Sequence, residues 1–560
     1  MTIRTNPARG DAGVLPQIRL PAGARSLIQP YDLASGVLIA ALVLVVGLTV
    51  RQYGISNDEE VQHRYGELIV AYYTSGFEDR TLFSYKNLYL YGGLFDIIAV
   101  LLGRIIPADV YLIRHVLCAL IGVAGVAATW ATARAVGGPR AGFIAALALA
   151  VTAQWHGAMF NHTKDVPFAA AMIGATYFLL RAGRDLPHPH WRDTLGFGLL
   201  LGAACGLRAM GLLLIGYLGL IVLVHLVRLR SSGAEAARSA GLAALRLLPG
   251  LLLGYAIMLA AWPWAALHPL NPLRAIFAFS HFHYEIRTIF AGTIYEMADV
   301  PRWYVPAYLA IRLPLLMLGG AALTAILFWS KAFGAVPGSG QTRLEVALLW
   351  CTVLVPVTCQ VIGDGPAFTG MRHFFFVVPP LAVLAGVGLD TSMRWLAARH
   401  HAIALAAAAA LSAAVIWETG LMVQLHPYQY LYYNALVGGL PGAAGQFAMD
   451  YWVNIMPEAV ARLEAFLDLK GVDSHDVDPP VRPYTVAVCG ERLSFEREAD
   501  ARLQWTAGWY EADFFIAPTH MGCDRRTNGA VIATIERLGV VIGVVKYRRG
   551  FMPPHLIKAR

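Results

Sequence analysis

The strongest constraint in this sequence is its series of long apolar runs. The first is ASGVLIAALVLVVGLTV, residues 34–50. Several others reach the ~18–20 apolar residues needed to cross a hydrocarbon core. Inside a bilayer every backbone polar group must be satisfied within its own segment, so such runs fold as helices. Composition agrees: 57% of the 560 residues are hydrophobic and 14% are charged, against about 25% charged in soluble domains. The expected fold is a polytopic α-helical membrane protein. No heptad, solenoid repeat or low-complexity tract stands out. The net charge of +8 is not a nucleic-acid signal, because the basic residues are spread between apolar runs, where loop charge orients helices. Residues 1–33 are polar and no small-residue cleavage site follows a short apolar core, so no cleavable signal peptide is expected.

The expected spans are 34–50, 111–135, 141–158, 166–182, 193–207, 210–228, 245–265, 305–329, 345–363, 373–389 and 401–421, about eleven in all. Segment 88–106, LYLYGGLFDIIAVLLGRII, is long enough to span but carries Gly92, Gly93, Asp96 and Arg104. Loop charge arbitrates. If 88–106 lies along the interface, the basic connections 181–193, 228–246, 331–343 and 394–399 all share the side of the basic N-terminus, as the positive-inside rule favours. It is therefore expected to be an interfacial or re-entrant helix. The implied organisation is a cytoplasmic segment 1–33, a membrane domain 34–423 with external loops 51–110 and 266–304, an interfacial connection 424–459, and a small external α/β domain 460–560. That last domain is read from strand-like runs such as YTVAVCG and VIGVVKYRR. Cys489 and Cys523 both fall in it and could pair in an oxidising compartment, although spacing alone does not show it.

With this topology the polar clusters gather outside. Asp58, Glu59 and Glu60 follow directly on the first span. They read either as a solvated helix start or as functional carboxylates at membrane depth. Lys86 sits in FSYKNLYLYGG, as an interfacial snorkelling lysine or a cation for a lipid phosphate. MFNHTKDVPFA brings His162, Lys164 and Asp165 between two apolar helices; capping accounts for Asp165 but not for the other two. Arg208 occupies a short external turn, either snorkelling or binding an anion. The loop 262–304 carries His281, His283 and Glu285. Their HFH spacing has no HExxH or Cys partner for zinc, and a loop closing over a substrate suits it better. Arg372 and His373 stand at the external mouth of a helix.

Carboxylates and cations on one external face suit transfer of a sugar from a lipid phosphate. A carboxylate can take the proton of an acceptor hydroxyl, and pre-positioned cations stabilise the departing phosphate. The chain resembles the membrane glycosyltransferases of the GT-C class, family 39-like, a group that includes protein O-mannosyltransferases and the aminoarabinose transferases of lipid A. The residues that carry the resemblance are Asp58-Glu59 after the first span, KDVPF with Asp165, the Gly-x-Arg turn with Arg208, and the YYN-x-L-x-GG and DYW segments. It implies a polyprenyl-phosphate sugar donor, a lipid, glycan or protein acceptor, and a multi-pass protein of the bacterial inner membrane; loop charge gives the cytoplasmic N-terminus and periplasmic C-terminus. It implies that Asp58 is the base, with Glu59 second. Lys86, Lys164, Arg208 and Arg372 would hold the phosphate. Asp165 and Glu59 would orient these cations or bind a divalent metal. YKNLYLYGG stands where the family has a basic-Pro-Pro signature. The competing classes are a lipid flippase, which tends to show paired repeats or charges deep in its spans, and an assembly protein of an envelope complex.

Overall fold

A computed structural model describes residues 29–229, 233–280, 286–330, 339–363, 365, 367, 369–470 and 483–549. Among the described residues, eight helices are long and apolar enough to cross a membrane: 30–52, 110–137, 165–184, 209–229, 233–261, 342–363, 372–397 and 401–425. Two bent pairs raise the number to as many as ten: 139–150 with 153–161, bent by 66°, and 304–312 with 315–327, bent by 115°. The second bend falls at Pro314, which lacks an N–H and holds Leu313 extended at φ −98°, ψ 147°.

The eleventh expected span is the helix Trp191–Cys205, of 15 residues. At 1.5 Å per residue it is about 22 Å long, short of the ~30 Å hydrocarbon core. It packs against Gly233–Ala261 and Asp165–Arg184. Glycines permit this close crossing: a Cβ on Gly198 would lie 1.9 Å from the carbonyl oxygen of Gly250. Small residues at a helix crossing are the usual route to tight packing in lipid, where apolar burial alone drives no association.

Segment 88–106 is a 3-10 turn, Leu88–Leu90, followed by a helix, Leu94–Ile105. Twelve residues reach about 18 Å, too short to cross. The helix buries Phe95, Asp96, Ala99 and Val100 and leaves Ile98, Leu101 and Ile105 exposed, as befits an interfacial element.

The bundle has two polar ends. At one, ion pairs stitch neighbouring helices together: Arg134 to Asp32 at 2.7 Å, Arg184 to Glu345 at 2.5 Å, Arg181 to Asp193 at 2.7 Å, and Arg140 to Asp390, which also pairs with Arg394 of its own helix. Of these residues, Arg181, Arg184, Asp193 and Arg394 belong to the basic connections, and Glu345 lies just beyond one. The other end holds Asp58, Asp165, Arg208 and Arg372. The span 372–397 runs buried through the centre, whereas 30–52 and 401–425 present mostly exposed apolar side chains, as lipid-facing helices do.

A short hairpin, β1 (Arg287–Phe290) with β2 (Thr293–Glu296), sits in the loop before the second bent pair. The C-terminal part is a five-stranded mixed sheet of β3 (Tyr484–Val488), β4 (Leu503–Trp505), β5 (Phe514–Pro518), β6 (Ala530–Arg537) and β7 (Val540–Tyr547), in the order β4-β3-β5-β7-β6. β3 runs parallel to β4 and β5, and β7 is antiparallel to β5 and β6. β5 is buried throughout and reads FFIAP, the continuous apolar run of a strand covered on both faces.

Candidate active site

Four charged side chains from four distant segments form one alternating chain. Asp58 stands at the N-cap of the helix Glu59–Thr74. Its carboxylate pairs with the Arg372 guanidinium. Arg372 also reaches Asp165, Nε to Oδ2 3.1 Å. Asp165 in turn pairs with Arg208. Asp58 is the exposed end, its side chain 35% accessible, while Asp165 is buried. Capping does not occupy Asp165: it opens the helix Asp165–Arg184, but that helix has no side-chain cap, and its carboxylate is committed to the two arginines. The Trp452 ring faces Arg372 with its centroid 4.1 Å from Cζ, a cation–π contact that fixes the guanidinium plane.

The buried end of the chain opens onto an apolar cavity of about 530 Å³, lined by Arg208, Tyr91, Leu213, Phe279, Pro356 and Phe374 among others. Arg208 Nε is buried and has no hydrogen-bond partner among the described residues. Lys164 is buried as well, its Nζ 4.6 Å from the centroid of the Tyr91 ring that lines the same cavity. Among the described residues no carboxylate lies within ion-pairing distance of it. Burial pushes the Lys164 ammonium down to about 8, with Asp96 and Asp58 opposing the shift. Burial likewise lowers His162 to about 4, so this imidazole is neutral at pH 7. Its Nε2 has no partner among the described residues, and its ring centroid lies 4.5 Å from that of Trp452.

Two expected site residues go elsewhere. Glu59 is fully buried and turns away from Asp58. Its Oε1 accepts the Ser56 N–H at 2.8 Å, and His115 Nε2 lies 3.1 Å from both of its oxygens. Arg114, also fully buried, stands 3.9 Å from Glu59 and donates to Asp96 at 2.9 Å and to Thr163 at 3.2 Å. Glu59 is thus an anchor of its helix, for the physical reason that a buried carboxylate needs paired partners. Lys86 remains exposed at φ 48°, with its ammonium 6.0 Å from the centroid of the adjacent Tyr85 ring. No contact joins it to Arg208 or Arg372 among the described residues. His281, His283 and Glu285 lie outside the described residues.

The Glu59 and Asp165 pair does not fit a divalent metal. Each carboxylate already faces cations, Asp165 two arginines and Glu59 a histidine and an arginine. No group of three or more His, Cys, Asp or Glu side chains suited to a metal occurs among the described residues.

Sequence reasoning missed Arg114 and His115, which look like interruptions in the apolar run 111–135, and the part played by Trp452. The DYW segment was the available signal for the tryptophan. The cysteine pair of the terminal domain is joined: Cys489 and Cys523 form a disulfide.

Residues 107–265 match the family described as dolichyl-phosphate-mannose-protein mannosyltransferase. Among solved structures, the chain is similar to ArnT from Cupriavidus metallidurans bound to undecaprenyl phosphate, with 16% identity, TM-score 0.47 and coverage of 93% of this chain and 99% of that one. It is similar to the Archaeoglobus fulgidus oligosaccharyltransferase, with 13% identity, TM-score 0.44 and coverage of 86% and 65%. It is also similar to the S. cerevisiae Pmt1-Pmt2 complex bound to the sugar donor, with 18% identity, TM-score 0.31 and coverage of 42% and 34%. No curated relative matches the sequence.

Proposed function

We propose that this protein transfers a sugar from a polyprenyl phosphate to a hydroxyl of a lipid, glycan or protein acceptor, on the external face of a bacterial plasma membrane. The observation that carries this is the alternating chain Asp58–Arg372–Asp165–Arg208, exposed at the carboxylate end and opening at the arginine end onto an apolar cavity. An isoprenoid tail suits such a cavity. Arg208, with Lys164 beside it, suits the phosphate at the tail's head, and charge-assisted bonds from pre-positioned donors are the strong ones.

The chemistry is a single displacement with inversion. The acceptor oxygen attacks the anomeric carbon and gives its proton to the Asp58 carboxylate. The bond from that carbon to the phosphate oxygen breaks, and polyprenyl phosphate departs with the electron pair. Arg208 and Lys164 meet the charge it gains. Arg372 aims the Asp58 carboxylate, and Asp165 holds Arg372 and Arg208 in register. The basic connections at the opposite end of the bundle support a cytoplasmic N-terminus and an external C-terminal sheet.

The test uses protein in liposomes with undecaprenyl-phosphate and dolichyl-phosphate sugars and a panel of lipid and peptide acceptors. Asp58→Asn lowers release of polyprenyl phosphate about 10²- to 10⁴-fold, the usual contribution of a general base, without loss of folded protein. Arg208→Ala weakens donor binding about 10- to 100-fold, as expected for one buried hydrogen bond to a charged group. Undiminished turnover by Asp58→Asn removes it as the base.

A further inference from the structure

Asn57, the residue before Asp58, has three polar groups engaged, all with partners far along the chain. Its backbone N–H donates to the Trp452 carbonyl at 3.2 Å. Its Nδ2 donates to the Tyr451 carbonyl at 3.2 Å. Its Oδ1 accepts the backbone N–H of Glu491 at 3.1 Å. One asparagine therefore ties the segment of the base to the Asp450–Ile455 turn and to the loop leaving β3.

Both partners are themselves held firmly. In the turn, buried Asp450 accepts the Tyr430 hydroxyl and the N–H groups of Asn454 at 3.1 Å and Ile455 at 3.2 Å. Val453 is left-handed at φ 56°, a region β-branched residues rarely enter. Such conformations persist where the surroundings over-determine them, and they cluster at functional sites. This turn delivers the Trp452 ring to Arg372. In the loop, the Cys489 N–H donates to the Ile516 carbonyl at 2.9 Å, and its sulfur is bonded to Cys523. Gly490 passes so close that a Cβ would stand 2.9 Å from Val453 Cγ1.

We infer that Asn57 is a positioning residue through which the C-terminal sheet sets the aim of Asp58 against Arg372. This rests on Asp58 being the base. A circuit closes through the site: Asn57 to the carbonyls of Tyr451 and Trp452, the Trp452 ring to Arg372, Arg372 to Asp58, and Asp58 back to Asn57 by one peptide bond. Asn57 is not needed merely to dock the sheet. Arg497 pairs with Asp109 at 2.8 Å, and Arg537 donates to the His426 carbonyl at 3.0 Å, each joining the C-terminal part to the membrane part. The C-terminal domain is by this inference a working part of the catalytic centre.

The experiment measures kcat and donor KM in liposomes with undecaprenyl-phosphate-linked and dolichyl-phosphate-linked mannose and the acceptor panel above. Asn57→Ala lowers kcat about 10- to 100-fold, the scale of a misplaced reacting group. Its donor KM and unfolding temperature stay near wild type. Gly490→Ala, which pushes the loop off Val453, lowers kcat in the same way, and Gly490→Ala/Val453→Gly restores it by removing the opposing atoms. Wild-type kcat in Asn57→Ala overturns the inference alone, as does a rise in KM with kcat unchanged. Should Asn57→Ala fail to fold, the Gly490 pair decides: no loss, or no recovery in the double variant, overturns it. No release by wild type overturns the transferase assignment and this inference with it.

Discussion

At the scale of single residues, Lys164 separates electrostatics from packing. Burial holds its ammonium down to about 8, so it loses its charge as pH rises through that value. A phosphate bound beside it is held best below pH 8. Donor affinity is expected to weaken severalfold between pH 7 and pH 9, and Lys164→Arg, which stays charged throughout, flattens the profile. Donor titrations at the two pH values check this. His162 contributes no such dependence in that window, because burial keeps it neutral above about 4. Asp165 and Arg208 were legible in the sequence because each is a charge stranded between apolar runs, where a charge must find a partner. Which partner each finds was not legible: Asp165 and Arg372 are 207 residues apart, and no local pattern encodes that pairing.

At the scale of elements, the helix Glu59–Thr74 shows how one acidic trio divides into three roles. Asp58 points into the site, Glu59 anchors the helix, and Glu60 is exposed. A run of adjacent carboxylates gives no hint of this division, since the partner that captures Glu59 is His115, 56 residues further on in an expected span. Removing one member of a buried charged pair costs about 3–5 kcal/mol. Glu59→Ala therefore lowers the unfolding temperature of the purified protein sharply, whereas Glu60→Ala leaves it nearly unchanged; thermal unfolding in detergent distinguishes the two. The long apolar elements were readable from length alone. The bent pairs and the short helix Trp191–Cys205 were not, because bends and glycine-lined crossings depend on a neighbour that hydropathy does not name. In the terminal domain, the β3, β5, β6 and β7 runs were readable as apolar strands. The three-residue β4 was too short to announce itself.

At the scale of the whole molecule, the separation of charge between the two ends of the bundle is the organising fact. On the proposed topology, Lys86→Cys in a Cys359→Ser background reacts with a membrane-impermeant thiol reagent in intact cells. Arg228→Cys reacts only after permeabilisation, and the reverse pattern would put the site on the cytoplasmic face. The apolar cavity carries a last consequence. Its volume of about 530 Å³ lies within the ~300–1,000 Å³ common for small-molecule pockets, less than a carrier lipid of dozens of carbons occupies. Such a lipid would be gripped by its head and nearest isoprene units while the remainder stays dissolved among the acyl chains. On the proposed function, an enzyme built this way would be indifferent to how long its carrier is, and a cell could lengthen or shorten that lipid without altering the protein that consumes it.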